Sequence, residues 1–194
     1  ANALRSYSME QLVALGISWV WIGLEGEDSQ YSKLRTIDTR ELVSELQEHA
    51  IHVLGSTIIG MEEHTPENID AVIEYAARHD TDFHQFMLYT PVAGTPLHAE
   101  LSAHGRLKDE SEFHPGDIHG QHIFAHRHPH IKNGQESEFM VRAFRRDYQL
   151  NGPSLARILR TTLAGWKRYK DHPDPRIRRR FAREAGDLAT AGSA

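Results

Sequence analysis

Short apolar runs that end in glycine, proline or carboxylates are the parts of this chain best suited to hold a ligand. There are three: Gly23-Leu24-Glu25-Gly26, Ile59-Gly60-Met61-Glu62-Glu63, and Tyr89-Thr90-Pro91-Val92-Ala93-Gly94-Thr95. A carboxylate accepts hydrogen bonds from ribose hydroxyls or an amino group. A glycine lets a flat ring press against the backbone. The residue types therefore point to a nucleotide-like ligand, although ordinary strand-to-helix turns share the composition. Glu25 and Glu63 would equally serve as the acid/base pair of a hydrolytic enzyme. On the third run, Phe83, Gln85, Met87 and Tyr89 alternate onto one face. Gln85 and Tyr89 would line a substrate cavity there, or be structural groups bonded inside.

Histidine makes a second constellation. His114, His119, His122, His126, His128 and His130 crowd one short segment. The spacings His119-x2-His122 and His122-x3-His126 are ones that metal sites use. Asp117 is the one carboxylate between His114 and His130. The other readings are a pH-sensitive loop and a polar connector with some rings packed on Phe113 and Phe124.

These residues need elements to position them. Ser8 and Gln11 form a capping-box signature for a helix over 8–15, stopped at Gly16. Ile17–Gly23 is apolar on nearly both faces, as in a strand covered on both sides. Asp38 caps a helix through Glu48, with Glu41 closing the box and Leu42, Val43 and Leu46 as its buried stripe. Ile51–Gly60 is a β-branched strand interrupted at Gly55. Thr65-Pro66 and Thr95-Pro96 each open a helix with proline at its first position. Phe83–Thr90 is the third strand. A helix in each gap makes a βαβ series, so the fold class is α/β with a parallel sheet and right-handed crossovers. Ligands of such sheets bind at the C-terminal strand ends. Helices follow at 135–150, 153–170 and 174–189, with Phe144, Tyr148, Trp166, Tyr169 and Phe181 spaced as core residues.

Three elements resemble the radical S-adenosylmethionine (SAM) enzymes, in the family's order and at its spacing. Trp19-Val20-Trp21-Ile22-Gly23-Leu24-Glu25-Gly26 is similar to the fourth strand of that barrel. Ser56-Thr57-Ile58-Ile59-Gly60-Met61-Glu62-Glu63 resembles its G-x-I-x-G-x-x-E element, matching at Ile58, Gly60 and Glu63 and departing at Ser56. Phe86-Met87-Leu88-Tyr89-Thr90-Pro91 and Gly94-Thr95-Pro96-Leu97 resemble the sixth strand and its loop, with Ala93 where proline is often seen. The resemblance is strongest to the cobalamin-binding group, covering 4–110 well and 111–183 loosely. It implies the C-terminal half of a TIM-like (β/α) barrel over 1–110, a His-rich connector over 111–134 and a helical region over 135–194. It implies reductive SAM cleavage at a 4Fe–4S cluster, with cobalamin-dependent methyl transfer to carbon as one outcome. Glu25 would contact the ribose or methionine end, Ile58 and Gly60 would line the adenine, Tyr89 and Thr90 would cover it, and Glu63 would hold the loop. The implied partners are the N-terminal half of the barrel, a cobalamin domain and a small-molecule substrate.

Composition limits these readings. The 194 residues contain no cysteine. Disulfides, thiolate zinc sites, cysteine nucleophiles and an all-cysteine cluster are therefore excluded within them. The cluster motif C-x3-C-x2-C would precede Ala1, and this chain alone would be inactive. No apolar run reaches the roughly 20 residues of a membrane span, and the first residues do not read as a secretory signal. A cytoplasmic location is expected. Charge divides unevenly: residues 1–141 hold 9 Lys/Arg and 22 Asp/Glu, and residues 142–194 hold 13 and 5. The alternative function is thus a cluster-free binding module, whose basic tail takes nucleic acid or an acidic partner. Thin aromatic interleaving makes nucleic acid the weaker of the two.

Overall fold

Three β-rich runs meet as a parallel sheet because helices, not hairpins, connect them. The computed structural model describes residues 4, 6–24, 38–112, 117, 122–132 and 134–191. The order is α1 (Met9–Ala14), β1 (Trp19–Gly23), α2 (Thr39–Glu48), β2 (His52–Ile59), α3 (Ile69–Ala77), β3 (Phe83–Leu88), α4 (Pro96–Ala103), a 3-10 turn (Glu110–Glu112), α5 (Gln135–Asn151), α6 (Ser154–Tyr169) and α7 (Pro175–Ala191). The strands lie in the order β1-β2-β3, all parallel, with Trp19 opposite His52 and Leu54 opposite Phe83.

Local chemistry sets most boundaries. Ser8 and Gln11 make the reciprocal capping box of α1. Asp38 accepts from the amides of Arg40 and Glu41 at the start of α2. Thr95 accepts from the His98 amide at the start of α4. α3 starts later than Thr65-Pro66 predicts. There Asn68 Oδ1 accepts from the Thr65 amide at 2.8 Å, and Asn68 Nδ2 donates to the Glu63 carbonyl at 2.9 Å. Those bonds wind Thr65–Asn68 into a turn, and the helix begins at Ile69.

The helices cover one face of the sheet. On that side Ile22, Val53, Thr57, Ile59, His84, Phe86 and Leu88 are buried. One cluster joins Leu12, Val13, Leu46 and Val53 to Tyr169 and Phe181; another joins Ile59, Ile73 and Phe86 to Phe124, Phe139 and Ala143. Gly55 is the point of closest approach, since a Cβ there would lie 2.9 Å from both Leu24 Cδ1 and Thr81 Cγ2.

The opposite face is open. Trp19, Trp21 and Phe83 are 46%, 65% and 45% exposed, and Leu54, Ser56, Ile58, Gln85 and Met87 are half-buried. Among the described residues the two-sided cover expected for β1 is thus one-sided beyond its first residue, because the helices pack on the other side; at the strand start α6 reaches this face, where Thr162 meets the buried His52. Among the core residues expected in the tail, Tyr169 and Phe181 are buried, whereas Phe144, Tyr148 and Trp166 are 47%, 62% and 38% exposed. The expected helical stripe is real but wider than the surface available to bury it.

Candidate functional site

The two ends of the sheet differ in chemistry. At the N-terminal end a buried network ties strands to helices. Asp82 accepts from the Val53 amide at 2.8 Å and from Gln47 Nε2 at 3.1 Å, and lies 3.2 Å from His52 Nδ1. His52 Nε2 lies 3.3 Å from the Thr162 hydroxyl on α6. Burial pushes the Asp82 carboxyl up, yet the bonds from His52, Val53 and Gln47 outweigh it and hold the group below its ordinary value. Carboxylate, imidazole and hydroxyl stand in a row, but Thr162 is buried where no substrate reaches. This end stabilises the fold.

The C-terminal end carries the sequence-derived candidates. Ile58 pairs with Met87 and Ser56 with Gln85, so all four look out from the open face. Tyr89 follows just past the end of β3. Its amide donates to the Ile59 carbonyl at 2.8 Å, and its ring stands edge-on to His126 at 6.3 Å. Thr90 turns its hydroxyl back onto the Leu88 carbonyl at 2.9 Å. Glu63 is exposed, and its carbonyl anchors the turn through Asn68. Glu25 lies outside the described residues. The structure therefore brings Ser56, Ile58 and Gln85 to one surface, sets Tyr89 at its end against His126, and leaves Glu63 exposed on the turn after β2.

Gly60 has a reason of its own. Its φ is +81°, and a Cβ there would lie 2.2 Å from Phe124 Cζ. The ring that seats on this glycine comes from the His-rich segment. Phe124 stacks on His128 at 5.2 Å and lies 5.1 Å from His126. His126 is buried, neither ring nitrogen has a hydrogen-bond partner, and burial pushes it down to about 4. The segment is held by a short antiparallel bridge, in which Lys108 donates to Ala125 and Arg127 to Arg106. Arg106 also pairs with Glu62 at 2.8 Å. Glu136 is buried at the start of α5 and accepts from the Phe124 and Gly134 amides. Sequence reasoning singled out these histidines for their spacing but not their seat over the strand ends. A clue was available in Phe124 and Ile131, apolar residues inside an otherwise polar stretch. Among the described residues, no three His, Asp or Glu side chains converge as a metal site would require.

The tail's charge is largely answered within the chain. Arg146 grips Glu74 through two bonds of 2.6 and 3.0 Å, and Arg142 pairs with Asp70 at 2.7 Å. Arg146 and Arg78 together hold Glu74 at about 2. Arg176 pairs with Asp174, Arg180 with Glu184, and Arg160 with Asp80. No helix among the described residues is long and apolar enough to cross a membrane.

A scan against protein-family models finds no match. The chain is similar to a protein named as an uncharacterized methyltransferase in Pyrococcus horikoshii, being 39% identical over 57 residues. The match covers 29% of this chain and 12% of that protein's length.

Proposed function

We propose that this chain is the later half of a radical SAM barrel belonging to a methyltransferase, and that its open sheet face lines the interior of that barrel. The observation that carries this reading is the one-sided helix layer. Parallel sheets are ordinarily covered on both faces, and here the uncovered face is apolar and aromatic. A barrel wall has this construction, with helices outside and packed side chains within. The similarity to a protein named as a methyltransferase supports the same class.

On that face Ile58 and Met87 give adenine an apolar seat. Ser56, Gln85 and Tyr89 supply the hydroxyl, amide and phenol that ribose and a substrate need. Glu25 follows directly after this surface in the chain, and we assign it to the ribose or methionine end. Gly60 is assigned a part in the adenine seat through its backbone once Phe124 is lifted from it, and Thr90 a part in covering the ring. Bound SAM would supply the transferable methyl or the radical precursor. The residues of this chain do not fit a 4Fe–4S cluster, because they include no cysteine; the cluster and any cobalamin would be held by other parts of the polypeptide. The pairing of Arg142 and Arg146 with α3 weighs against the alternative of a nucleic-acid or acidic-partner module.

The test is to sequence the encoding locus upstream of Ala1. The reading expects an in-frame C-x3-C-x2-C triad about 80 to 130 residues earlier, a span set by three βα units. A start codon beside Ala1 with no such triad would overturn it. If the triad is there, the longer protein should bind SAM, and Gln85→Ala with Tyr89→Ala should weaken binding at least about tenfold by calorimetry, the worth of one or two lost hydrogen bonds.

A further inference from the structure

Two histidines at the C-terminal end of the sheet use the same nitrogen in the same unusual way. His64 Nδ1 accepts from the amides of Gly60 and Met61, at 3.0 and 3.2 Å. His128 Nδ1 accepts from the amides of His130 and Ile131, at 3.1 and 3.0 Å. Both rings therefore carry their proton on Nε2. His128 uses that proton to donate to the Met61 carbonyl at 3.0 Å. His64 thus shapes the β2 turn, and His128 fastens the His-rich segment onto it.

We propose that residues 122–131 form an acid-released latch over the C-terminal ends of β2 and β3, with His64 and His128 as its two fasteners. An imidazolium has two donors and no acceptor. Protonating either ring sets an N–H against two backbone N–H groups and leaves both amides without an acceptor. His126 lies 6.1 Å from the His128 ring and has no hydrogen-bond partner through which to share charge. The groups facing the three rings are Glu62 and Glu63 from the β2 turn, Arg106 and Lys108 from the bridge, Tyr89 after β3, and His130 from the segment itself. Glu62, the carboxylate shared by His126 and His128, is paired with Arg106. Releasing the latch lifts Phe124 off Gly60 and opens the strand ends. The inference rests on hydrogen-bond geometry and holds whichever ligand binds there.

The test is histidine-nitrogen and backbone-amide NMR on the 194-residue chain from pH 8 to pH 4. At pH 8 both fasteners should show the Nε2–H form; an Nδ1–H form at either would overturn the latch. On acidification the Gly60, Met61, His130 and Ile131 amides should shift together while Val53 and Phe86 keep their native positions. Simultaneous loss of all six would mean global unfolding and would overturn a local device. In His64→Asn and His128→Asn the Oδ1 keeps the acceptor without basicity, so opening should move down by about one pH unit or more. An unchanged midpoint in both variants would also overturn it.

Discussion

At the residue scale, single atoms decide what the chain tolerates. Gly60→Ala must accommodate a methyl group 2.2 Å from the Phe124 ring at a positive φ. Overpacking and left-handed strain add, so the variant should lose about 2–4 kcal/mol in urea unfolding. Gly60 was legible in the sequence as a special position, but its immediate cause was not. The sequence suggested a ring pressed on the glycine, and the structure supplies one from 64 residues further along the same chain. Asp82 was not legible at all. It reads as one acid in a turn until His52, Val53, Gln47 and Thr161 are seen around it.

At the element scale, the clearest contacts are those between α6 and its neighbours. Gly165 faces Ala50, where an added Cβ would lie 2.0 Å from the alanine Cβ. Gly165→Ala should therefore push α6 off the end of α2 and cost roughly 1–3 kcal/mol, visible as a lowered melting temperature. The buried pair Arg157–Asp147 clamps α6 to α5, with bonds of 2.7 and 3.1 Å, and Arg157 also donates to the Thr81 carbonyl. Arg157→Met leaves buried Asp147 with Asn151 but no cation and should cost about 3–5 kcal/mol; adding Asp147→Leu should recover part of that loss, since Asn151 Nδ2 keeps its bond to the Ala77 carbonyl. Strand and helix identities were readable from period and capping because they depend on neighbours in sequence. The cover of β1 was not, since an apolar strand gives the same pattern whether one face or both are buried.

At the scale of the whole molecule, acidity and charge become the controlling variables. Burial holds His84 and His126 at about 4, below the ordinary 6.5. Between those values the unfolded chain binds more protons than the folded one, so stability falls as pH drops through 6.5 and levels off below 4. Unfolding free energies from urea titrations at pH 7.5 and 5 should differ by on the order of 1–2 kcal/mol for each buried histidine. His84→Asn should flatten that dependence.

The seam between α3 and α5 bears on inheritance and engineering. Asp70 and Glu74 lie one helical turn apart, and so do their partners Arg142 and Arg146. The spacing works like a two-pin plug: parted from α3, Arg142 and Arg146 lose both their carboxylates, whereas on α3 Asp70 loses its arginine and Glu74 keeps only Arg78. In a chimera that takes the tail from one relative and the body from another, the apolar seam of Ile69, Ile73, Phe139 and Met140 supplies most of the docking and the two exposed pins favour one register. Reversing all four charges at once should restore what reversing two destroys.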